Sequence, residues 1–239
     1  MEEKGKIHVA VIIPAAGSGS RMGLDTPKQF LRIRNKPLLV HALERFQESE
    51  DVQEIILVTG REDIPWVTAK IVEAYGLEKV RKVVEGGRER KDSVYAGILN
   101  LSPQATHVLV HDGARPCLSR ELIRRMVQGA VEKRACVPGV PLKDTVKTVD
   151  REGRVLGTPP RNSLSAIQTP QAFSREVIEE AYTLGIASSR EATDDAMMVE
   201  LFTDTPVHVL EGENRNIKVT TKEDLETVER WLGEAENSL

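Results

Sequence analysis

Short, unbroken apolar runs alternate along this chain with longer stretches in which apolar residues recur every three or four positions. The first kind occurs at His8 to Pro14, Glu54 to Thr59, His107 to His111 and Ala135 to Val140. Such runs predict strands buried on both faces. The second kind occurs at Leu38 to Gln47, Trp66 to Tyr75, Asp92 to Leu101 and Glu121 to Lys133. That spacing predicts helices with one apolar side. Strand and helix in alternation predict an α/β fold with a doubly wound, mostly parallel sheet.

The alternation stops after Val140. Residues 141 to 162 are rich in Pro, Gly, Lys, Arg and Asp, with brief apolar alternation at Val146, Val149, Val155 and Leu156. Two short strands in a hairpin arm projecting from the main body fit this pattern better than a plain loop of that length. The α/β pattern then resumes with a strand at Ser165 to Thr169. Ser174 is placed to cap a helix to about Leu184, and Asp194 one from Asp195 to Phe202. A strand follows at Val207 to Leu210. Thr221 and Asp224 form a capping-box-like pair opening a last helix to about Leu232.

Composition narrows the function classes. The 239 residues suit one domain, and aromatics at 4% leave a core of Val, Ile, Leu and Ala. A net charge of −4 gives no general basic footprint, so nucleic acid is not an expected partner. Any anion must meet a local cluster of cations. The charged start, Met1 to Lys6, has no signal-peptide core, and no apolar run approaches a membrane span. Cys117 and Cys136 fit no zinc pattern and no disulfide framework, so a cytoplasmic location is expected.

The first strand empties into Pro14-Ala15-Ala16-Gly17-Ser18-Gly19-Ser20-Arg21-Met22-Gly23. Small residues bring backbone N–H groups close to phosphate oxygens. The segment lacks the Gly-Lys-Ser/Thr ending of a P-loop and the spacing of a dinucleotide fingerprint. Arg21 and Lys28 add two cations, offset only by Asp25, as a triphosphate requires. Val110-His111-Asp112-Gly113-Ala114-Arg115-Pro116 lies at a strand end, the ligand edge of such sheets. Asp112 there reads as a Mg²⁺ ligand, with a turn or cap aspartate as the alternative. His111 reads as a packing residue. Glu85-Gly86-Gly87-Arg88-Glu89-Arg90-Lys91-Asp92-Ser93 reads as a base or ribose contact, or as a glycine turn with a solvated charge run.

Four more segments complete the pattern: Pro141 to Lys147, Arg161 with Gln168 to Phe173, Thr193-Asp194-Asp195-Ala196, and Asn216-Ile217-Lys218-Val219-Thr220. In this order and spacing, from about Val9 to Leu232, the chain closely resembles the 2-C-methyl-D-erythritol 4-phosphate cytidylyltransferase family of the non-mevalonate isoprenoid pathway. The resemblance implies a single nucleotidyltransferase domain over 1 to 239, of Rossmann-like fold, without the cyclodiphosphate synthase domain fused in some relatives. It implies transfer of CMP from CTP to methylerythritol phosphate. Ala15, Ala16, Gly17, Gly19, Gly87 and Ser93 would line CTP. Arg21 and Lys28 would hold its phosphates, and Asp112 would bind Mg²⁺. Arg115, Thr145, Arg161, Thr169 and Lys218 would surround the methylerythritol phosphate and the reacting α-phosphate, with Asp112 also at the acceptor and with Arg21, Lys28 and Lys218 catalytic. Arg88 stands where relatives commonly carry a smaller or acidic residue. A homodimer is implied, in which the arm reaches the neighbouring site. Ribitol 5-phosphate as acceptor is the nearest alternative; a non-catalytic nucleotide-binding regulatory domain is the other.

Overall fold

A computed structural model describes residues 7–17 and 28–236, with Lys28, Ala235 and Glu236 by their backbones only, so that Gly19 and Arg21 lie outside it. In chain order the elements are β1 (Val9–Pro14), a small hairpin β2 (Arg32–Ile33) and β3 (Lys36–Pro37), α1 (Leu38–Gln47), β4 (Glu54–Thr59), α2 (Ile64–Val67), which runs into a π-helical turn, β5 (Val80–Glu85), α3 (Arg90–Ile98) and β6 (His107–Val110). Then come α4 (Arg120–Lys133), β7 (Ala135–Pro141), the hairpin β8 (Thr148–Val149) and β9 (Val155–Gly157), β10 (Ser165–Ile167), β11 (Gln171–Ser174), α5 (Arg175–Gly185), α6 (Asp195–Phe202), β12 (His208–Glu211) and α7 (Lys222–Glu236).

Eight strands form one sheet in the order β10-β7-β11-β6-β1-β4-β5, with β12 also paired to β7. The pairs β6-β1, β1-β4, β4-β5 and β12-β7 are parallel; β11 and β10 run antiparallel to their neighbours. Alternate residues of β1 feed two cores, because successive side chains of a strand face opposite ways. Val9, Val11 and Ile13 pack with Leu43 and Phe46 of α1 and Met126 of α4. Ala10 and Ile12 pack with Val94 of α3 and Ile178 and Tyr182 of α5. The sheet is therefore doubly wound, as its apolar runs predict. A smaller cluster of Ile33, Leu38, Ala114, Val219, Val228 and Leu232 fastens α7 beside the β2-β3 hairpin.

Local chemistry sets several boundaries. Asp194 caps α6 by accepting the Met197 N–H (2.8 Å). Thr221 and Asp224 exchange bonds at the start of α7: the Thr221 N–H donates to Asp224 (2.9 Å), and the Asp224 N–H donates to the Thr221 hydroxyl (3.2 Å). The helix expected from Asp92 begins earlier, at Arg90, because the Asp92 carboxylate reaches back to the Glu89 N–H (3.0 Å). Within the expected arm the hairpin is present, at β8 and β9, with Val149, Val155 and Leu156 exposed. Strands β2, β3, β5 and β11 are additions to the expected set.

Candidate active site

The glycine loop leaves β1 tied down on both sides. The Ala15 N–H donates to the Val58 carbonyl (2.7 Å), which continues the pairing with β4. The side-chain amide of Gln29, in the 3-10 turn Lys28–Phe30, donates to the carbonyls of Ala15 (2.7 Å) and Gly17 (3.0 Å). Gln29 is thus a clamp on the loop. Beside it, the β5-α3 turn comes close enough that a Cβ on Gly86 would lie 2.7 Å from the Ala16 Cβ and 2.6 Å from the Ser93 Oγ. A Cβ on Gly87 would lie 2.2 Å from that of Asp92. Both positions exclude any side chain, and together they bring Gly87 and Ser93 to the glycine loop.

Asp112, just past the end of β6, is the centre of the charged part. Its carboxylate faces Lys218 (2.8 Å), Arg90 (3.4 Å) and Arg115 (3.7 Å). Burial alone would push this carboxyl up; Arg90, then Lys218 and Arg115, overcome it and hold it well below the usual carboxylate range. Thr169 receives the Asp112 N–H on its hydroxyl (3.1 Å), and that hydroxyl also meets Nδ1 of His111 (3.0 Å). His111 is fully buried, contacts the Arg115 carbonyl through Nε2 (3.1 Å) and lies edge-on to Phe46. Burial pushes its pKa down to about 4, so it is neutral at pH 7 and packs. The side-chain amide of buried Asn216 donates to the Thr169 carbonyl (2.7 Å), while its backbone carbonyl accepts from Arg115 (2.7 Å).

Arg90 is the site residue that sequence reasoning missed. It makes a two-pronged pair with Asp195 (2.9 and 2.7 Å), and Tyr182 donates its hydroxyl to the same carboxylate (2.6 Å). Asp195 is fully buried. Burial opposes the charge on Arg90, but Asp195 and then Asp112 more than compensate and raise its pKa above that of a free arginine. The signal lay in two segments read separately, a charge run at 88 to 92 and Thr-Asp-Asp-Ala at 193 to 196.

The structure therefore gathers Ala15, Ala16, Gly17, Gly87 and Ser93 in one place, and Asp112, Arg115, Thr169 and Lys218 in another at the same edge of the sheet. Thr145 and Arg161 are exposed and stand apart, at the base of the arm, where Arg161 donates to the Lys143 carbonyl (2.7 Å). Among the described residues, neither shares a hydrogen bond or ion pair with the Asp112 group. A lone carboxylate fits Mg²⁺ of the kind that shares its ligands with nucleotide phosphates. Among the described residues no cluster of three acidic, His or Cys side chains could hold a metal by itself.

A glycine loop at a strand end, opposite a carboxylate enclosed by cations on a doubly wound sheet, defines a nucleotidyltransferase. Within that class the chain belongs to the 2-C-methyl-D-erythritol 4-phosphate cytidylyltransferase family, whose model matches residues 9–234. It is 42% identical over 223 residues to the family enzyme of Alkaliphilus oremlandii, covering 93% of this chain and 94% of the relative. It is 44% identical over 228 residues to that of Lachnoclostridium phytofermentans, covering 95% and 97%. Among solved structures it resembles the 4-diphosphocytidyl-2C-methyl-D-erythritol synthase of Anaerococcus prevotii, with TM-score 0.82, 34% identity and coverage of 95% and 99%. It also resembles the 2-C-methyl-D-erythritol 4-phosphate cytidylyltransferase of Thermus thermophilus, with TM-score 0.76, 31% identity and coverage of 94% and 98%.

Proposed function

We infer that this chain transfers CMP from CTP to 2-C-methyl-D-erythritol 4-phosphate, giving 4-diphosphocytidyl-2-C-methyl-D-erythritol and pyrophosphate. Family membership across residues 9–234 is the observation that carries it. The triphosphate brings about four negative charges and the acceptor phosphate up to about two, so repulsion is the main obstacle. Arg21, Lys28 and Lys218 offset it and stabilise the charge on the transferring phosphoryl group. Ala15, Ala16, Gly17, Gly19, Gly87 and Ser93 cradle the nucleotide. Arg115, Thr145, Arg161 and Thr169 receive the acceptor. An acceptor phosphate oxygen attacks the α-phosphorus as the bond to pyrophosphate breaks; the nucleophile is already an anion, so no general base is needed. Neutral His111, engaged at both ring nitrogens, orients the Asp112 segment instead.

Asp112 is the protein ligand of Mg²⁺ in this reading. Bound there, the ion would supply Lewis-acid chemistry that offsets the negative charge of the phosphates. The working unit is a homodimer. The exposed apolar face of the β8-β9 hairpin supports this, because a two-stranded hairpin is marginal alone and gains from a partner surface. The arm then delivers Thr145 and Arg161 to the neighbouring site. A cytoplasmic location accords with the two free cysteines. Among the described residues no helix is long and apolar enough to cross a membrane. Pyrophosphate release across a panel of four NTPs with methylerythritol phosphate or ribitol 5-phosphate tests the function. Turnover confined to CTP with methylerythritol phosphate is the expected result; preference for ribitol 5-phosphate, or no release with any pair, overturns it.

A further inference from the structure

Gln29 is 5% exposed, yet it carries a side chain with two donor hydrogens and an acceptor. It points both hydrogens at one target, the carbonyls of Ala15 and Gly17. A trans peptide is planar, with its C=O and the following N–H directed oppositely. Fixing the Ala15 carbonyl toward Gln29 therefore fixes the Ala16 N–H away from it. The Ala15 N–H is already spent on Val58. Among the described residues, neither the Ala16 N–H nor the Gly17 N–H meets an acceptor. A Cβ built on Gly17 would find nothing within 4 Å, so the loop borders open space there. Left to itself, a glycine-rich loop could turn the peptide over and present a carbonyl oxygen, which repels phosphate.

We propose that Gln29 is a positioning residue for the nucleotide: it draws the Ala15 and Gly17 carbonyls to the inner side of the loop, so that the Ala16 N–H faces the polyphosphate. The inference rests on the assignment of this loop to the triphosphate. Gln29 touches no substrate; it decides the polarity of the surface that substrate meets.

Gln29→Met keeps the volume and removes both donors. A backbone contact to a charged phosphate lost in this way is expected to raise the KM for CTP about ten- to hundredfold. The KM for methylerythritol phosphate should stay within about twofold. The rise in Tm produced by saturating CTP should shrink, while the ligand-free Tm moves little. Gln29→Glu serves as the second variant and supplies a pH readout. Its carboxylate repels both carbonyls at pH 8, but once protonated it can donate to one of them. Its CTP defect should therefore narrow as pH falls toward 5.5, which a packing defect would not do. Unchanged CTP affinity in both variants, or equal losses toward CTP and acceptor with a flat pH ratio, overturns the clamp. A wild-type protein that neither gains stability with CTP nor releases pyrophosphate overturns the nucleotide assignment itself, and is told apart by that control.

Discussion

Replacing Asp195 with alanine should unfold this protein more readily, by an amount its surroundings set. The carboxylate is fully buried and accepts three bonds, two from Arg90 and one from Tyr182. Removing one member of a buried ion pair typically costs 3–5 kcal/mol, because the remaining charge loses its compensation. Arg90 keeps 31% of its side chain exposed and a second carboxylate, Asp112, at 3.4 Å. Both soften the loss, so about 3 kcal/mol is expected. For a chain of this size that corresponds to a fall in Tm of about 6–12 °C. Urea titration gives the same quantity directly, provided the m-value is unchanged. Adding Arg90→Met removes the stranded charge, so the double variant should be more stable than Asp195→Ala alone. A single-variant shift below about 2 °C, or an Arg90→Met penalty as large with Asp195 absent as with it present, would refute the account.

Asp112→Asn should cut kcat/KM at least about a hundredfold, weaken Mg²⁺ activation and also lower stability, since three cations lose their common partner. The folded pKa of Asp112 is depressed, so its contribution is complete above the unfolded value of about 3.9 and is lost as pH falls through the folded value. The stability gap between wild type and variant should therefore stay constant above about pH 5 and close only in acid. For His111 the folded pKa is lowered from 6.5 to about 4, so the unfolded chain takes up its proton first. Stability should fall between those pH values, by about 3 kcal/mol in all at about 1.36 kcal/mol per pH unit. An NMR titration should find the ring neutral at pH 5, and protonation near 6.5 would contradict this. Mixing inactive Lys28→Ala with inactive Arg161→Ala should restore activity on subunit exchange, since one mixed site keeps both residues; heterodimers verified by mass that stay inactive rule out the shared site.

Strands β1, β4, β6 and β7 were legible because burial on both faces leaves a nearly continuous apolar run. β5 was not, because it lies at the sheet's edge and carries exposed Arg81 and Lys82. β11 has four residues and begins with a glutamine, so no periodicity could develop. The caps at Asp194 and Thr221 were readable because a cap is a contact over three residues. The Arg90-Asp195 pair spans 105 positions, and no local rule reaches that far. The glutamine clamp escaped notice for another reason: a side chain chosen to bind carbonyls leaves no periodic or charge signature.

Strand direction explains why motifs scattered from Pro14 to Lys218 meet at one edge. β1, β4, β5 and β6 are parallel, so the loops after them, with Ala15 to Gly17, Gly86 to Gly87 and Asp112, all emerge on the same side. A run of parallel strands alone would send the segment before β11 to the opposite side. β11 instead pairs antiparallel with β6, with Gln171 opposite Val110. Its first residue therefore sits beside the last of β6, which is what lets Thr169 receive the Asp112 N–H. β7 is antiparallel to β11 and so parallel to β6, and its end leads to Lys143 and the arm at this same edge. β12 is parallel to β7, and its exit carries Asn216 and Lys218 there as well. The inversion of β11 thus adds chemistry to this sheet edge that parallel strands alone would not bring there. It supplies an entering segment between two departing ones, and Thr169 occupies that place.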